Sequence, residues 1–187
     1  MPATNQLLTN LILYALLPLW GISGFIDWCC HRATRIEQTS GLRESLIHSL
    51  MGIQLGIPIL LCLLFRINVL ILLIIFAAWL CHEFLGHWDV SYSSPLRRIS
   101  IWETHVHSYM ETIPLFLLML IAVLNWEVVI KLFTLDWAGQ FVFEPAPLRS
   151  SNPRYLPAYL SFMAVLCVLP YAEENLRCWL ASRRARS

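Results

Sequence analysis

Six histidines are the residues of this sequence whose type and spacing most directly suggest chemistry. They lie within the first 107 of the 187 residues and are His31, His48, His82, His87, His105 and His107. Four of them follow an acidic residue by four positions: Asp27 precedes His31, Glu44 precedes His48, Glu83 precedes His87 and Glu103 precedes His107. A helix turns once in about 3.6 residues, so this spacing places each acid and its histidine on one helical face. Glu111 follows His107 by four positions and extends the last pair into a stripe.

Imidazole and carboxylate groups on shared helical faces are typical of a metal site. Together these donors suit iron, manganese or zinc, and helical bundles that hold two irons gather Glu and His from several helices. The candidate ligands are Asp27, His31, Glu44, His48, His82, His87, His105, His107 and Glu111. This set exceeds the roughly four to six donors of one metal ion, so we expect two metal ions with supporting partners. Glu83 and Glu103 are expected to act catalytically, by moving protons or by accepting hydrogen bonds beside the ligands.

Two of the histidine spacings predict a local interruption of helical structure. His82 and His87 are five residues apart, which separates them by about 140° around an ideal helix. We therefore expect Gly86 to end that helix in a left-handed conformation, so that His87 turns back toward the site. The same spacing excludes the zinc-protease motif, whose two histidines are about four residues apart. His105 and His107 are two residues apart, which predicts extended chain or the first residues of a helix.

The composition predicts that membrane-spanning helices position these residues. Hydrophobic residues make up 58% of the chain and charged residues 13%, whereas a soluble domain carries about 25% charged residues. This excludes an ordinary soluble enzyme and a disordered chain. We expect an all-α, polytopic transmembrane bundle that forms a single integral membrane domain over residues 1–187. The net charge of +1 excludes the basic footprint of a nucleic-acid-binding protein, and the six cysteines follow neither a zinc nor a disulfide pattern.

Five stretches have the length of about 20 apolar residues that crosses the hydrocarbon core. The predicted spans are residues 7–30, 45–65, 67–86, 112–133 and 156–179. The uncharged part of the third span ends at Cys81, which is too early, so His82 and Glu83 are expected at membrane depth. Ionisable residues are costly there and indicate function. Residues 136–155 contain three prolines and one glycine and are expected to form a surface loop or a re-entrant segment.

The distribution of basic residues predicts the orientation of the bundle. Nine arginines fall on one side of the five predicted spans: Arg32, Arg35, Arg43, Arg97, Arg98, Arg177, Arg183, Arg184 and Arg186. Four basic residues fall on the other side: Arg66, Lys131, Arg149 and Arg154. The positive-inside rule then places the N-terminus outside and the C-terminus in the cytoplasm. All six histidines join the arginine-rich side, so we expect the metal site at the cytoplasmic face, which is that of the inner membrane in a bacterium.

The remaining acidic residues are interpreted as structural. Asp89 and Asp136 have the positions of interfacial acids near the ends of helices. Five glutamates are expected to be solvated or paired with arginine: Glu37, Glu127, Glu144, Glu173 and Glu174.

The histidine pattern of residues 27–111 resembles the membrane-bound, histidine-rich di-iron superfamily of fatty-acid hydroxylases, desaturases and sterol oxidases. His82-x4-His87 resembles one of its histidine boxes, and His105-Val106-His107 resembles a shortened one. Asp27-x3-His31 and Glu44-x3-His48 carry carboxylates where that superfamily has histidine. The resemblance implies two irons that activate oxygen to hydroxylate or desaturate a hydrophobic, lipid-like substrate. Electrons would come from a separate donor, since the chain has no room for a flavin or ferredoxin domain.

Three other functions remain open at this stage. A zinc-dependent membrane lipid hydrolase needs three or four ligands, and the sequence offers a surplus of histidines. A haem protein could carry electrons through bis-histidine ligation, for example by His31 and His48, although haem does not explain the paired acids. A metal transporter usually holds its ion near the bilayer midplane, whereas these groups gather at one end of the helices.

Overall fold

The computed structural model describes residues 2–147 and 149–185, so Arg186 lies outside the described residues. Its helices are α1 (Ala3–Thr34), α2 (Gly41–Leu64), α3 (Val69–Ser93), α4 (Ile101–Leu124), α5 (Trp126–Thr134) and α6 (Tyr155–Arg184). All of these except α5 are long and apolar enough to cross a membrane. The prediction of an all-α transmembrane bundle with five spans is therefore confirmed.

Two prolines widen the long helices near the middle of the bundle. α1 contains a π-helical turn, Ile12–Leu16, just before Pro18, and α6 contains another, Ala164–Val168, just before Pro170. A proline ring clashes with the carbonyl four residues earlier and donates no N–H, and a wider turn accommodates both effects. α1 and α6 also approach closely, because a Cβ atom added at Gly21 would lie 2.9 Å from Sδ of Met163.

The third spanning helix is longer than the sequence predicts. α3 starts at a cap in which the Asn68 side chain accepts a hydrogen bond from the Ile71 N–H at 3.1 Å, and it continues to Ser93. The expectation that Gly86 ends this helix is wrong: among the described glycines, Gly41 and Gly139 have a positive φ and Gly86 does not. As a result, His87 stays on the helix and does not turn back.

The fourth spanning helix starts about three turns before the predicted position at residue 112. A capping box begins α4: the Glu103 N–H donates to the Ser100 hydroxyl at 3.1 Å, and the Glu103 side chain reaches back to the Ser100 N–H. His105 and His107 therefore lie in the first two turns of a helix, which agrees with the second of the two expected alternatives and excludes extended chain. α4 ends at Leu124, where Asn125 interrupts the helix before α5. The predicted span 112–133 was misplaced because the polar start of α4 has low hydropathy.

The segment between α5 and α6 covers one end of the bundle. The Arg66 N–H donates to the Glu144 carbonyl at 2.8 Å, and the Arg149 guanidinium donates to the Cys62 and Phe65 carbonyls at 3.2 and 2.9 Å. This segment thus satisfies the last carbonyls of α2, which a helix end leaves unpaired. All six cysteines are free thiols.

The middle of the bundle is apolar, and its polar residues are concentrated at the other end. α2 packs against both α3 and α6, while α1 packs against α4. The buried hydrophobic residues that join these helices include Leu13, Leu17, Trp20, Leu55, Leu117 and Tyr159. Toward the end opposite the loop that follows α5, five helices bring their polar residues together.

Candidate metal centre

Ten polar residues from five helices and one loop form a buried group that we call the polar cluster. Its members are Asp27, His31, Glu44, His48, Asp89, Arg97, Glu103, His107, Tyr171 and Glu174. α1 to α4 supply the acids and histidines, α6 supplies the tyrosine and Glu174, and the loop between α3 and α4 supplies the arginine. Four of its glutamates and aspartates have 0% exposure, and Asp89 has 2%. Burying so many ionisable groups is unfavourable unless they are paired or bind a cation.

Three overlapping sets of donor atoms in the polar cluster could each hold a metal ion. Within each set the atoms lie within 4.8 Å of one another. The first set is Asp27, His31, His48 and His107; the second is Glu44, His48 and Asp89; the third is His31, Glu44 and Glu103. Two donors bound to one ion at about 2.0–2.2 Å lie roughly 3.0–3.6 Å apart. The polar cluster is therefore already close to the spacing that a metal ion requires.

Asp27 is the centre of the first set. Its Oδ1 atom lies 2.9 Å from Nε2 of His107, and its Oδ2 atom lies 3.5 Å from Nε2 of His31 and 3.9 Å from Nε2 of His48. The Tyr171 hydroxyl donates to Asp27 Oδ2 at 3.1 Å. Three helices thus direct a histidine at one aspartate, and only the pair with His31 follows from the spacing within a single helix.

His31 has the arrangement of a metal ligand held by a carboxylate. Its Nδ1 atom lies 3.0 Å from Oε2 of Glu174, and an ionised carboxylate only accepts hydrogen bonds, so Nδ1 carries the proton. Nε2 faces carboxylate oxygens of Asp27, Glu103 and Glu44 at 3.5, 3.6 and 3.7 Å. Carboxylate oxygens at such distances repel one another unless a positive charge lies among them, which a proton on Nε2, the Arg97 guanidinium or a metal ion can supply.

Arg97 occupies part of this acidic environment. Its Nε donates to both oxygens of Glu44 at 3.1 Å, its Nη1 donates to Glu103 Oε2 at 3.0 Å, and its Nη2 contacts both glutamates. Burial alone would lower the pKa of Arg97, but its hydrogen bonds to Glu103 and Glu44 outweigh burial and raise that pKa above its ordinary value. Glu44 and Glu103 therefore already have one permanent cation between them, which makes the third set the weakest of the three.

Several buried atoms of the polar cluster lack a partner. Among the described residues, His31 Nε2, His48 Nδ1, Asp89 Oδ1 and Glu174 Oε1 are buried and make no hydrogen bond. Buried polar atoms are nearly always paired. Six other buried atoms without a partner lie outside the cluster among the described residues, on Trp20, Ser40, Gln54, Trp79, His82 and Arg177. The four atoms of the cluster come from four helices and are available to bind a cation.

The net charge of the polar cluster depends on the protonation of its three histidines. Within the described part of the chain it contains five buried carboxylates and one guanidinium, so four negative charges remain in excess when the histidines are neutral and one remains when all three are protonated. An uncompensated buried charge is strongly destabilising. Two divalent cations would balance the cluster with neutral histidines.

The structure brings together six of the residues that the sequence predicts for the site. These are the predicted ligands Asp27, His31, Glu44, His48 and His107, and the predicted catalytic residue Glu103. The other predicted residues lie elsewhere. His87, His105 and Glu83 are exposed, and Glu111 is half-buried beside Gly86, where an added Cβ atom would lie 3.1 Å from Glu111 Oε1.

His82 is buried but has a structural partner. Its Nε2–H donates to the Met110 carbonyl at 3.3 Å. That carbonyl is available because Pro114, four residues later, has no N–H to donate. His82 therefore satisfies a carbonyl of α4 that Pro114 leaves without a backbone donor. It is absent from the donor sets found among the described residues.

Four members of the polar cluster were not predicted: Asp89, Arg97, Tyr171 and Glu174. The interpretation of Asp89 as an interfacial acid and of Glu174 as solvated or arginine-paired is wrong, since they face His48 at 3.3 Å and His31 at 3.0 Å. The signal that could have revealed Asp89 is its period on α3: His82, Gly86, Asp89 and Ser93 follow one buried face. The expected arginine pairs do form for Glu37, Glu144 and Glu173.

The two central histidines do not have the spacing of haem ligands. The ring centroids of His31 and His48 are 4.5 Å apart, with an interplanar angle of 38°. This separation is that of rings in direct contact and leaves no room for a porphyrin between them. His31 and His48 therefore cannot be the two axial ligands of one haem in this arrangement.

An apolar groove leads away from the polar cluster between α2 and α6. This α2–α6 groove has a volume of about 590 Å³. Its walls include Gly52, Gly56, Leu60, Leu160, Met163 and Cys167, and His48 and Tyr171 of the polar cluster line its end. A hydrophobic molecule in the groove would thus reach the candidate metal ligands.

No family model, curated protein or solved structure matches this chain. The resemblance to the di-iron superfamily therefore stays a prediction, and the geometry of the polar cluster and the α2–α6 groove carries the functional argument.

Proposed function

We propose that the chain is an integral membrane oxidoreductase whose polar cluster holds two metal ions, most simply iron, and which hydroxylates or desaturates a hydrophobic, lipid-like substrate. The observation that carries this proposal is the convergence of three histidines from three helices on Asp27, with Nε2 of His107, His31 and His48 at 2.9, 3.5 and 3.9 Å from its carboxylate oxygens. A metal ion among these atoms would be coordinated by one carboxylate and three imidazoles.

The first and second donor sets supply the ligands. Asp27, His31 and His107 would hold one ion, Glu44 and Asp89 would hold the other, and His48 belongs to both sets. Glu174 orients the His31 ring by accepting a hydrogen bond from its Nδ1–H, an interaction that fixes the tautomer and raises ligand basicity in known metal sites. Arg97 holds Glu44 and Glu103 in place by its forked hydrogen bonds.

Iron at this site would supply the capacity to bind and reduce molecular oxygen. Hydroxylation consumes one oxygen molecule, two electrons and two protons, and yields an alcohol and one water; desaturation takes the same inputs and yields an alkene and two waters. The electrons come from a separate one-electron carrier. Mixed carboxylate and imidazole donors suit this metal, and the number of donors exceeds what a hydrolytic zinc site uses.

The chain's own groups bind substrate and deliver protons. The Tyr171 hydroxyl lies within hydrogen-bond distance of Asp27 Oδ2 at 3.1 Å and the Gly24 carbonyl at 3.0 Å, and Tyr171 also lines the α2–α6 groove. The Tyr171 hydroxyl therefore lies where it could transfer a proton between the polar cluster and a molecule in the groove. The apolar walls keep water from the reacting carbon.

The proposed orientation places the polar cluster at the cytoplasmic face. Arg32 at the end of α1, Arg35 in the following loop and Arg43 at the start of α2 lie at the cluster end of the helices, as do Arg97 and Arg98 in the loop between α3 and α4. The excess of arginine at this end is what the positive-inside rule requires of the cytoplasmic side. A soluble cytoplasmic electron donor could dock there.

Metal analysis and the visible spectrum of the detergent-purified protein test this proposal. We expect about two irons per chain and no Soret band. One zinc per chain would overturn the oxidoreductase proposal in favour of a zinc hydrolase, and a Soret band would replace it with a haem protein. A metal-free protein that cannot be loaded with ferrous iron would remove the metal centre altogether.

A further inference from the structure

The five spanning helices form a closed ring around a central axis. α1 packs against α4, α4 against α3, α3 against α2, α2 against α6, and α6 against α1. Helices pack at interaxial distances of about 8–10 Å, so non-adjacent members of a ring of five lie roughly 13–16 Å apart. Side chains must fill the axis between them, and a stretch of the axis with too few side chains becomes a cavity.

Such a cavity lies on the axis, on the loop side of the polar cluster. Residues of α1 to α4 enclose about 250 Å³, which we call the axial cavity. Its mouth lies beside the segment that follows α5, where Asn5 and Arg149 line it, and its deep end lies at Trp20 and Trp79. Trp20 is seven residues before Asp27, so about 10 Å of α1 separates the deep end from the polar cluster.

Two buried hydrogen-bond donors have no acceptor at this deep end. Trp20 is 8% exposed, and the Nε1 atoms of Trp20 and Trp79 are both buried without a hydrogen-bond partner among the described residues. The N–H of a buried tryptophan usually has a partner. Trp20 also lines the α2–α6 groove, whereas Trp79 does not. The two donors come from α1 and α3, which are not neighbours in the ring, and the axial cavity is the space that both of them line.

These donors define the chemistry of a ligand. An indole N–H donates a hydrogen bond and cannot accept one, and the side chains that line the cavity beside the two tryptophans include Leu17, Leu55 and Ile75. A ligand with its own O–H or N–H would bury that donor unpaired, which is unfavourable. A carbonyl oxygen accepts from an indole and brings no donor. The ligand is also neutral, because the charged residue among the described lining residues is Arg149 at the mouth, whose guanidinium donates to carbonyls at the end of α2.

The size of the axial cavity is that of one substituted ring. An apolar cavity of about 150 Å³ holds a benzene molecule, and pockets for drug-sized ligands measure about 300–1,000 Å³. We propose that the axial cavity binds a neutral ring of the para-quinone class, whose two carbonyl oxygens accept hydrogen bonds from Nε1–H of Trp20 and Trp79. Carbonyls on opposite edges of the ring match donors on non-adjacent helices. The proposal does not rest on the proposed function, because no member of the polar cluster lines the axial cavity.

Water is the competing occupant of the deep end. A buried water typically makes about three hydrogen bonds and both donates and accepts. The described side chains at the deep end offer two N–H groups and no acceptor oxygen. A water bound there would leave its own O–H groups unpaired, which favours a ligand that only accepts.

Equilibrium binding to the detergent-purified protein tests the proposal. The probes are tetramethyl-para-benzoquinone (duroquinone), whose methylated ring resists attack by the six free thiols, and durene, the same ring without the two oxygens. Calorimetric titrations are corrected with a protein-free micelle blank. We expect duroquinone to bind several-fold more tightly than durene. Trp20→Phe and Trp79→Phe should each lower the duroquinone affinity by about 2- to 12-fold, the net contribution of one hydrogen bond, and leave durene binding unchanged.

Trp88→Phe is the matched control, since Trp88 is 46% exposed on α3 and is not among the residues that line the axial cavity. Equal affinities for duroquinone and durene would overturn the proposal. So would a duroquinone affinity that is unchanged in Trp20→Phe or Trp79→Phe, or that falls equally in Trp88→Phe. Absence of duroquinone binding would assign the cavity to water.

The reduced probe gives a test that needs no variant. Duroquinol carries two O–H donors, which the deep end would leave unpaired, so it should bind several-fold more weakly than duroquinone. Equal or tighter binding of duroquinol would overturn the choice of a quinone carbonyl even if a tryptophan variant fails to fold.

Discussion

His31 and Glu174 are in contact across 143 residues of sequence, with Nδ1 of the imidazole 3.0 Å from Oε2 of the carboxylate and both side chains fully buried. The contact joins α1 to α6 and fixes which nitrogen of His31 faces the other carboxylates. Asp27, four residues before His31, lies on the opposite side of the ring at Nε2. The imidazole is thus held between one acid that orients it and others that share its proposed cation.

Replacing this orienting carboxylate should weaken metal binding without removing a ligand. Glu174→Gln keeps the shape of the side chain but accepts less strongly from His31 Nδ1, and loss of such a partner typically lowers metal affinity by about 10–100-fold. Metal titration of the apoprotein measures the change. Glu173→Gln is the control, because Glu173 pairs with Arg32 and Arg177 outside the polar cluster; equal affinities for the two variants would contradict the assigned role.

The histidines should divide into two groups when each is replaced by alanine. His31→Ala and His107→Ala remove donors from the first set and should lower the metal content of the purified protein. His87→Ala and His105→Ala change exposed side chains and should leave it unchanged. Elemental analysis measures the metal content of the four variants. Loss of metal in His87→Ala or His105→Ala would show that the ligands come from another face of α3 and α4.

Arg97 should contribute more to the stability of the folded protein than the adjacent Arg98. Arg97→Ala leaves Glu44 and Glu103 as buried carboxylates without their cation, which we expect to cost about 3–5 kcal/mol. Arg97→Lys should lie in between, since an ammonium cannot form the same fork to two carboxylates. Arg98→Ala changes an exposed residue and should stay within about 0.5 kcal/mol. Thermal unfolding in detergent compares the three, and similar losses for Arg97→Ala and Arg98→Ala would refute the assignment.

His82 should affect the fold but not the metal. His82→Ala leaves the Met110 carbonyl unpaired beside Pro114, and an unsatisfied buried group costs about 1–3 kcal/mol. We therefore expect a lower unfolding temperature at unchanged metal stoichiometry. If the metal is lost while the fold is retained, His82 belongs to the ligand set and the sequence prediction for it was right.

Hydropathy and helical period were sufficient to predict the number of spans and six of the ten residues of the polar cluster. The spacing of an acid four residues before a histidine correctly predicts the cluster residues Asp27 with His31 and Glu44 with His48, because each pair lies on the inner face of its own helix. It fails on α3, where Glu83 and His87 share an exposed face and Asp89 on the inner face pairs with His48 of α2. The pairing of Asp89 with His48 cannot be predicted from a spacing within one helix, since it depends on how α2 and α3 are rotated against each other.

The start of α4 was missed for a related reason. Residues 101–111 are polar, so they have too low a hydropathy to be included in a span. In the structure Glu103 of this segment is buried, and Glu103 and His107 face the cluster, whereas Thr104, His105 and Ser108 are exposed. A hydropathy scale assumes that such polar side chains are solvated by water, whereas Glu103 and His107 are paired with residues outside α4.

The π-helical turn Ala164–Val168 sets the rotational phase of α6. On one side of it Tyr155 donates to the Leu13 carbonyl at 2.7 Å and Tyr159 is buried in the core; on the other side Glu174 reaches His31. A π turn contains one residue more than an α turn, and each residue advances a helix by about 100°. Deleting one residue from this turn would leave the tyrosines in register and rotate Glu174 away from His31, so a single extra residue in mid-membrane aligns both halves of α6 with their partners.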